Sequence, residues 1–334
     1  MGDQCLELAD ELLKVVGDEL RSNGCDCILF SGGIDTSLVA LSAVMAGLRP
    51  RLITVLYRGA RDEVYASHVA QQLGLSISFV RSSEEKSLRC VDEALVAMET
   101  IDPIEVISAS AVCAGLSKAK ELGCKCVATG DGGDELFIGY DFLLGKGIDE
   151  LRDWLKRVVD HAFFNSAPMG AHLGLRVVLP LYSQRAKEIA ARSLDSCSVR
   201  SLNGRPYGKF LLRLALAVHG LDMVAWRPKD PITRGSGVEL LLSALRGRIG
   251  INESLALSRS LNIILPSRAH AYLLRRRLEL GAPLPPRASG ANACPICGRA
   301  MRGSHCPFCG AYVSENGVSV YSDELLGLTR QQGT

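Results

Sequence analysis

Apolar residues near the start of the chain recur at three- and four-residue intervals, which predicts an amphipathic helix over residues 3–21. Beyond it, short apolar runs alternate with longer segments of helical spacing. The runs predict strands at 27–30, 52–57, 76–80 and 125–129. The intervening segments predict helices at 37–46, 63–73, 85–99 and 109–121. This alternation predicts an α/β fold with a doubly wound, mostly parallel sheet, which binds ligands at the carboxyl ends of its strands.

The second half of the chain is predicted to be mostly helical. Helical spacing recurs at 151–164, 184–193, 208–218, 238–245 and 269–280. Residues 281–293 are rich in proline and glycine, which is typical of a linker. We therefore expect an N-terminal helix at 1–22, a main domain at 23–280, the linker, and a small module at 294–334.

Composition excludes few functions but favours a globular protein. The chain has 334 residues, of which 47% are hydrophobic and 22% charged. We expect a cytoplasmic protein that does not enter a membrane, because no apolar run is long enough to span one and no signal-peptide pattern opens the chain. A net charge of +2 gives little support to non-specific nucleic-acid binding. The cluster Arg275, Arg276 and Arg277 is expected on a solvated helix face, with RNA contact as the alternative.

The chain contains twelve cysteines, and their placement differs between its two ends. Four form two Cys-x-x-Cys pairs near the C-terminus, and the others are scattered among apolar segments. We expect the scattered ones to be packed free thiols in a reducing compartment, Cys5 among them. A redox pairing between Cys25-x-Cys27 and Cys124-x-Cys126 is the alternative.

Residues 28–37 combine a strand end, a glycine turn and the start of a helix. Such a turn presents backbone N–H groups and the positive end of the helix dipole to an anion, and glycines let a phosphate approach closely. It matches neither the P-loop nor the G-x-G-x-x-G pattern. The candidate phosphate-binding residues are Ser31, Gly32, Gly33, Thr36 and Ser37, and Asp35 opens the helix.

A second glycine turn follows the strand predicted at 125–129. It begins at Gly130 and carries three acidic residues, Asp131, Asp134 and Glu135. Carboxylates beside a phosphate site commonly hold Mg²⁺, which prefers oxygen ligands. Because both turns follow parallel strands, we expect them to face one crevice.

The C-terminal cysteine pairs have the spacing of a zinc site. The four candidate ligands are Cys294, Cys297, Cys306 and Cys309. Four thiolates complete a tetrahedral Zn²⁺ site that is structural and not catalytic, and His305 is surplus to it. With short strands expected within 311–321, this predicts a small zinc ribbon.

Both glycine turns carry a resemblance to a known family. Ser-Gly-Gly-Ile-Asp-Thr-Ser at 31–37 resembles the pyrophosphate loop of the ATP pyrophosphatases, whose fold is adenine nucleotide α-hydrolase-like. Thr-Gly-Asp-Gly-Gly-Asp-Glu-Leu-Phe-Ile-Gly-Tyr at 129–140 resembles the signature of the synthetase domain of asparagine synthetases. Further similar segments, in the family's order, are 62–74, 102–103, 174–180, 207–213 and 226–229. The resemblance covers roughly residues 20 to 250.

The resemblance implies roles for particular residues. ATP and Mg²⁺ would be held by the loop at 31–37, with Asp35 and Asp134 close to the metal. Thr54 and Val55 would lie near the adenine. Lys209 would stabilise charge on the phosphates, with Asp131 as a catalytic carboxylate. Arg227 and Lys229 fall in a similar segment.

The chain also departs from the family pattern. Asp131 stands where the family often has Glu. Three further family residues, Glu, Arg and Asp, are replaced by Arg176, Val178 and Ser183 respectively. The resemblance therefore does not identify the substrate. Residue 2 is Gly where the family's glutaminase domain has its nucleophilic cysteine, which implies an ammonia source such as a separate glutaminase, or another amine.

The resemblance predicts an ATP-dependent ligase. It would adenylate a carboxylate such as aspartate, release pyrophosphate and form an amide, as in asparagine biosynthesis. Two alternatives remain open: a tRNA-modifying enzyme of the pyrophosphate-loop type, and a non-catalytic nucleotide-binding scaffold.

Overall fold

The computed structural model describes residues 2–202, 204–228 and 231–322. Its centre is a parallel sheet of five strands in the order β3-β2-β1-β4-β5. These strands, from β1 to β5, are Cys27–Leu29, Arg51–Leu56, Ile77–Arg81, Cys126–Ala128 and Arg176–Val178. In the register, Cys27 lies opposite both Arg51 of β2 and Val127 of β4. The predicted doubly wound α/β fold is confirmed.

The described residues form fifteen α-helices around the sheet. Helices predominate in the second half of the described chain. In chain order, α1 to α8 are Gly2–Asn23, Ile34–Met45, Asp62–Leu73, Glu84–Ala97, Pro103–Glu121, Gly133–Leu136, Ile148–His161 and Ser166–Leu173. Helices α9 to α15 are Gln184–Cys197, Phe210–Val218, Asp222–Ala225, Ile232–Gly235, Leu241–Gly247, Ile251–Leu261 and Arg268–Glu279. Two antiparallel hairpins complete the fold: β6 and β7 at Arg200–Leu202 and Arg205–Tyr207, and β8 and β9 at Tyr312–Ser314 and Gly317–Ser319.

Alternation along the strands divides the core between the two faces of the sheet. Ile28 and Leu52 face one cluster, which contains α1, α2, α9 and α10. Cys27 and Ile53 face the other, which contains α4, α5, α13 and α15. No helix within the described ranges is long and apolar enough to cross a membrane.

Helix α5 begins earlier than the sequence pattern indicated. The prediction started it at 109, whereas the helix starts at Pro103. Asp102 caps it by accepting a hydrogen bond from the backbone N–H of Ile104 at 3.0 Å. A proline in the first turn behind an aspartate cap is a favoured helix start, so local chemistry explains the six additional residues.

The cysteine-bearing C-terminal module packs directly on the main domain. Its four cysteines and Phe308 share a buried cluster with residues of α4, α5 and α15. Its hairpin β8–β9 supplies the short strands expected there. The remainder of the module, 323–334, lies outside the described residues.

The expectation of free, packed thiols was wrong for six of the scattered cysteines. The structure joins Cys5 to Cys197, Cys25 to Cys126, and Cys27 to Cys124 as disulfides. The last two each join a residue of one of the neighbouring strands β1 and β4 to a residue just before the other strand, and they match the redox alternative. Cys90 and Cys113 are buried free thiols.

Candidate active site

A cavity of about 630 Å³ opens where β1 and β4 end. The chain runs from β1 to β2 and β3 on one side and adds β4 and β5 on the other, so this point is the topological switch of the sheet. Both glycine turns line the cavity, as expected for turns that follow these two strands. The predicted site residues in its wall are Ser31, Gly33, Asp35, Thr36, Val55, Gly130, Asp131, Asp134 and Lys209.

The first turn is held open by its own side chains. The backbone N–H of Gly33 donates to Ser31 Oγ at 3.1 Å, and the N–H of Ser31 donates to Thr36 Oγ1 at 3.3 Å. Gly32 has φ +66°, and a side chain there would overlap the backbone of Ala66. No side chain caps the N-terminus of α2, and its first residues Ile34, Asp35 and Thr36 line the cavity. The first N–H groups of a helix have no partner within it, which suits them to bind an anion.

Three predicted residues do not face the cavity. Gly32 and Ser37 are outside the lining formed by the described residues. Ser37 is completely buried within α2. Thr54 is also buried, and its hydroxyl donates to the carbonyl of Phe30 at 2.6 Å, so it joins β2 to the end of β1.

Lys209 connects the two glycine turns. Its Nζ lies 2.6 Å from Asp35 Oδ2 and 2.9 Å from Asp134 Oδ1, and its side chain is only 7% exposed. Burial opposes the charged ammonium, but Asp134 and then Asp35 outweigh it and raise the pKa of Lys209. Lys209 has φ +54°, a strained backbone for a non-glycine residue, immediately before α10.

Two glycines make room for this group. A side chain at Gly133 would overlap the Asp35 carboxylate, and one at Gly139 would overlap both Asp134 and Lys209. The glycines of the second turn are therefore needed for close approach of the carboxylates.

Asp131 lies in the same cavity and is held by two hydroxyls. Thr129 donates to Asp131 Oδ2 at 2.9 Å, and Ser166 of α8 donates to the same oxygen. Burial raises the pKa of Asp131, and both hydrogen bonds oppose that rise. Ser166 carried no recognisable pattern in the sequence, because only the tertiary packing of α8 places it here.

Glu105 is a second cavity residue that sequence reasoning missed. It lies in the first turn of α5, which the periodicity did not include. Burial raises the pKa of Glu105 to about 7, and the neighbouring Asp102 carboxylate adds to the rise. Glu135 also lines the cavity, and its carboxylate accepts a hydrogen bond from Tyr140. We call Glu105, Asp131 and Glu135 the acidic end of the cavity.

Arg227 supports the first turn from behind. Its Nη1 donates to the carbonyl of Gly32 at 3.0 Å, and its Nη2 lies 3.5 Å from Asp62 in a pair that is buried on both sides. The guanidinium also lies over the ring of Tyr65, 3.8 Å from its centroid. Lys229 lies outside the described residues.

The arginine cluster of α15 has structural partners. Arg276 donates to both oxygens of Asp92. Arg277 is 1% exposed and donates to the carbonyls of Leu95, Met98 and Pro283, so the expected solvated position is wrong for it. These contacts give Arg276 and Arg277 structural roles.

The four C-terminal cysteines converge as a metal site requires. Their sulfurs all lie within 4.8 Å of one another. The Sγ atoms of Cys294 and Cys309 are 3.7 Å apart, and those of Cys297 and Cys306 are 3.5 Å apart. Zn–S bonds of about 2.3 Å in a tetrahedron place the sulfurs about 3.8 Å apart, so the arrangement fits zinc.

Two curated relatives match most of the chain at low identity. A putative asparagine synthetase (glutamine-hydrolyzing) of Methanocaldococcus jannaschii is 24% identical over 262 residues, covering 68% of this chain and 48% of the relative. Asparagine synthetase B (glutamine-hydrolyzing) of Escherichia coli is 26% identical over 306 residues, covering 84% and 54%. The chain thus spans about half the length of the curated relatives it matches.

Among solved structures, NMN synthetase of Francisella tularensis is similar over 60% of this chain and 99% of its own, at 16% identity and a TM-score of 0.31. The sequence profile of the family described as asparagine synthase matches residues 7–196, which is more than half of the chain and includes both glycine turns. The chain belongs to the asparagine synthase family.

Proposed function

We propose that this protein is an ATP-dependent ligase that adenylates a carboxylate, releases pyrophosphate and forms an amide with ammonia or another amine. The observation that carries the proposal is the junction of Lys209 with Asp35 and Asp134, which joins both glycine turns in one cavity. Family membership supports the same class of reaction.

The residues present fit ATP and Mg²⁺. The N–H groups at the start of α2 suit phosphate oxygens, and the glycines of both turns leave space for them. Asp35 and Asp134 supply the oxygen ligands that Mg²⁺ prefers. The metal would neutralise phosphate charge when bound. Val55 and Ile53 give an apolar wall beside the loop for the base.

Lys209 is placed to act on the phosphates. When the substrate carboxylate attacks the α-phosphate, negative charge develops on the departing pyrophosphate. A buried ammonium that is already fixed stabilises that charge without reorganising. Its raised pKa keeps the ammonium protonated throughout.

The acidic end suits the amine of the second step. Glu105, Asp131 and Glu135 line this part of the cavity, and carboxylates favour the binding of an amine in its ammonium form. Of the arginines in the lining, Arg213 donates to the carbonyls of Gly208, Ala225 and Arg227, and Arg205 lies 5.4 Å from the centroid of the Tyr207 ring. With its pKa near 7, Glu105 is matched to take the proton that the amine loses as the amide forms. The carboxylate that is adenylated is proposed to be that of aspartate or a similar amino acid, whose ammonium group the same carboxylates would bind.

The source of nitrogen is proposed to be free ammonia, a separate glutaminase or another amine. Zinc is proposed as a structural ion, because four thiolates leave no open position for a substrate.

The direct test is pyrophosphate release from ATP and Mg²⁺, with aspartate and ammonium each present or absent. Release that requires aspartate, with asparagine as the product, supports an ammonia-using synthetase. Release that does not require aspartate supports the adenylation step, and the substrate is then another carboxylate or tRNA. ATP binding without release under any condition would contradict the proposal and favour a nucleotide-binding scaffold.

The matched variants are Asp35→Ala and Asp149→Ala. Asp35 lines the cavity, whereas the Asp149 side chain is 90% exposed in a surface ion pair with Arg152. Asp35→Ala is expected to abolish release and to keep the fold, and Asp149→Ala to leave both unchanged. Undiminished release by folded Asp35→Ala would refute the assignment.

A further inference from the structure

The second cysteine pair of the C-terminal module touches the main domain at residues 100–102. The carbonyl of Phe308 accepts hydrogen bonds from the backbone N–H of Ile101 at 2.7 Å and from the Thr100 hydroxyl at 3.2 Å. Gly310 lies so close to Asp102 that a side chain would overlap the carboxylate. These contacts join the cysteine turn to the segment that starts α5.

That segment leads directly into the cavity wall. Asp102 caps α5, and Ile104, Glu105 and Ser108 of its first turns line the cavity. One helical turn therefore separates the cysteine turn from Glu105 of the acidic end. A displacement of the cap would be transmitted to Glu105, because Asp102 holds the first N–H groups of the helix.

The same cysteine turn is fixed from a second direction. His270 Nε2 of α15 donates to the carbonyl of Cys309 at 3.1 Å, and His270 Nδ1 accepts from the Ser267 hydroxyl at 2.8 Å. Phe308 is 1% exposed and packs in the core shared by α4, α5 and α15. The face of the module that bears Phe308 and Cys309 therefore packs against the main domain.

The conformation of this turn depends on the convergence of four sulfurs. A module of this size has too small a core to hold two Cys-x-x-Cys turns together without metal. We infer that the four-cysteine site is a metal-dependent clamp on the first turn of α5, so that zinc binding orders the acidic end of the cavity. The ordering of α5 by zinc does not depend on the proposed function. The effect of that ordering on amide formation rests on the proposed function.

The first test compares backbone hydrogen exchange in the zinc-loaded protein and in the same protein after chelation. Amides of residues 104–108 are expected to exchange at least about tenfold faster without zinc, because local opening of this turn becomes easier. Amides of α2, 34–45, are expected to keep their protection, which shows that the domain stays folded. Unchanged exchange at 104–108 after verified zinc removal would overturn the inference.

The second test separates the clamp from metal binding by substitution. Gly310→Ala forces a side chain against Asp102, whereas Gly303→Ala introduces the same change at another left-handed glycine of the module with nothing within 4 Å. Gly310→Ala is expected to reproduce the fast exchange at 104–108 while still binding one zinc per chain. Gly303→Ala is expected to behave as the unmodified protein does.

Thr100→Val covers the case in which Gly310→Ala loses its metal. It removes the hydrogen bond to Phe308 and the one that the Asp102 N–H donates to the same hydroxyl at 3.1 Å, and it lies outside the module, so the four cysteines are untouched. Faster exchange at 104–108 with full zinc content, and no further increase after chelation, supports the clamp. Exchange equal to that of the unmodified protein, or an increase on chelation as large as in the unmodified protein, contradicts it. ATP binding, measured separately, reports on the nucleotide end alone, so its loss would count against the proposed function and not against the clamp.

Discussion

Lys209 Nζ lies 2.6 Å from Asp35 Oδ2, although the two residues are 174 positions apart in the chain. This pair joins the start of α2 to the start of α10, and Lys209 adopts a left-handed backbone conformation there. Such a strained residue persists only where surrounding contacts hold it, and such strain clusters at functional sites.

Replacing Lys209 by Met is expected to remove activity and to lower stability. Two half-buried carboxylates would lose their common buried partner, which costs up to about 3 kcal/mol in the free energy of unfolding. Pyrophosphate release would fall by about 100-fold or more, because the fixed positive charge is gone. Urea denaturation and the release assay measure the two effects. The control is Lys156→Met, whose side chain is 77% exposed in a surface pair with Asp153.

Gly133→Ala tests the space beside Asp35. The added methyl group would displace the Asp35 carboxylate from Lys209, since it would otherwise overlap it. We expect about a 100-fold loss of pyrophosphate release from this misplacement. Gly145→Ala adds the same methyl group where no atom lies within 4 Å. Equal activity in the two variants would show that the position of Asp35 is unimportant.

Glu105→Gln is expected to change how stability depends on pH. The folded protein keeps the Glu105 proton up to a pKa of about 7, whereas the unfolded chain releases it near 4.5. The folded state thus binds more protons between these values, so this residue makes the free energy of unfolding fall as pH rises from 4.5 to 7. Glutamine cannot ionise, and the variant should be more stable than the unmodified protein at pH 8 by about 2 kcal/mol.

Thermal or urea unfolding at pH 5 and pH 8 measures this difference. Glu188→Gln, at an exposed position of α9, is the control. If the free energy of unfolding of Glu105→Gln changed between pH 5 and pH 8 by as much as that of the unmodified protein, the expectation would be contradicted.

The disulfide between Cys5 and Cys197 is expected to stabilise the fold. It closes a loop across 192 positions and ties α1 to α9. The double variant Cys5→Ala, Cys197→Ala should lose about 3 kcal/mol of unfolding free energy, because its unfolded chain is less constrained. Unfolding with and without a reductant measures this loss. The unmodified protein should lose more stability on reduction than the variant does, and an equal loss in both would argue against this bond.

Local sequence patterns predicted four of the five strands of the sheet and both turns, because strands, glycine turns and helix starts are encoded within about ten residues. The edge strand β5, Arg176–Val178, was missed, since it is only three residues long. The acidic residues Asp131 and Asp134 were found from the same short pattern. Glu105 was not, since its place in the cavity depends on where α5 begins and on how the helix packs against β1. Ser166 was missed for the same reason.

The disulfides and the arginines show a second limit of sequence reasoning. Pairing of Cys5 with Cys197 depends on the packing of α1 against α9, which no local spacing encodes. Arg277 has the same sequence surroundings as Arg276, yet it is buried because the carbonyls of Leu95, Met98 and Pro283 accept its hydrogen bonds. The burial of Arg277 therefore depends on the chain segments that pack around α15, which the local sequence does not reveal.

The position of β1 between β2 and β4 has a consequence for how a cell makes this protein. Cys27 emerges from the ribosome 97 residues before its partner Cys124, which at ordinary translation rates is roughly 5 to 20 s. Throughout that interval one edge of β1 is unpaired, and Cys27 of β1 and Cys25 just before it are both free thiols. An oxidant present at that stage would join nascent chains to one another, so the yield of correctly paired protein depends on keeping those thiols reduced until β4 has been synthesised.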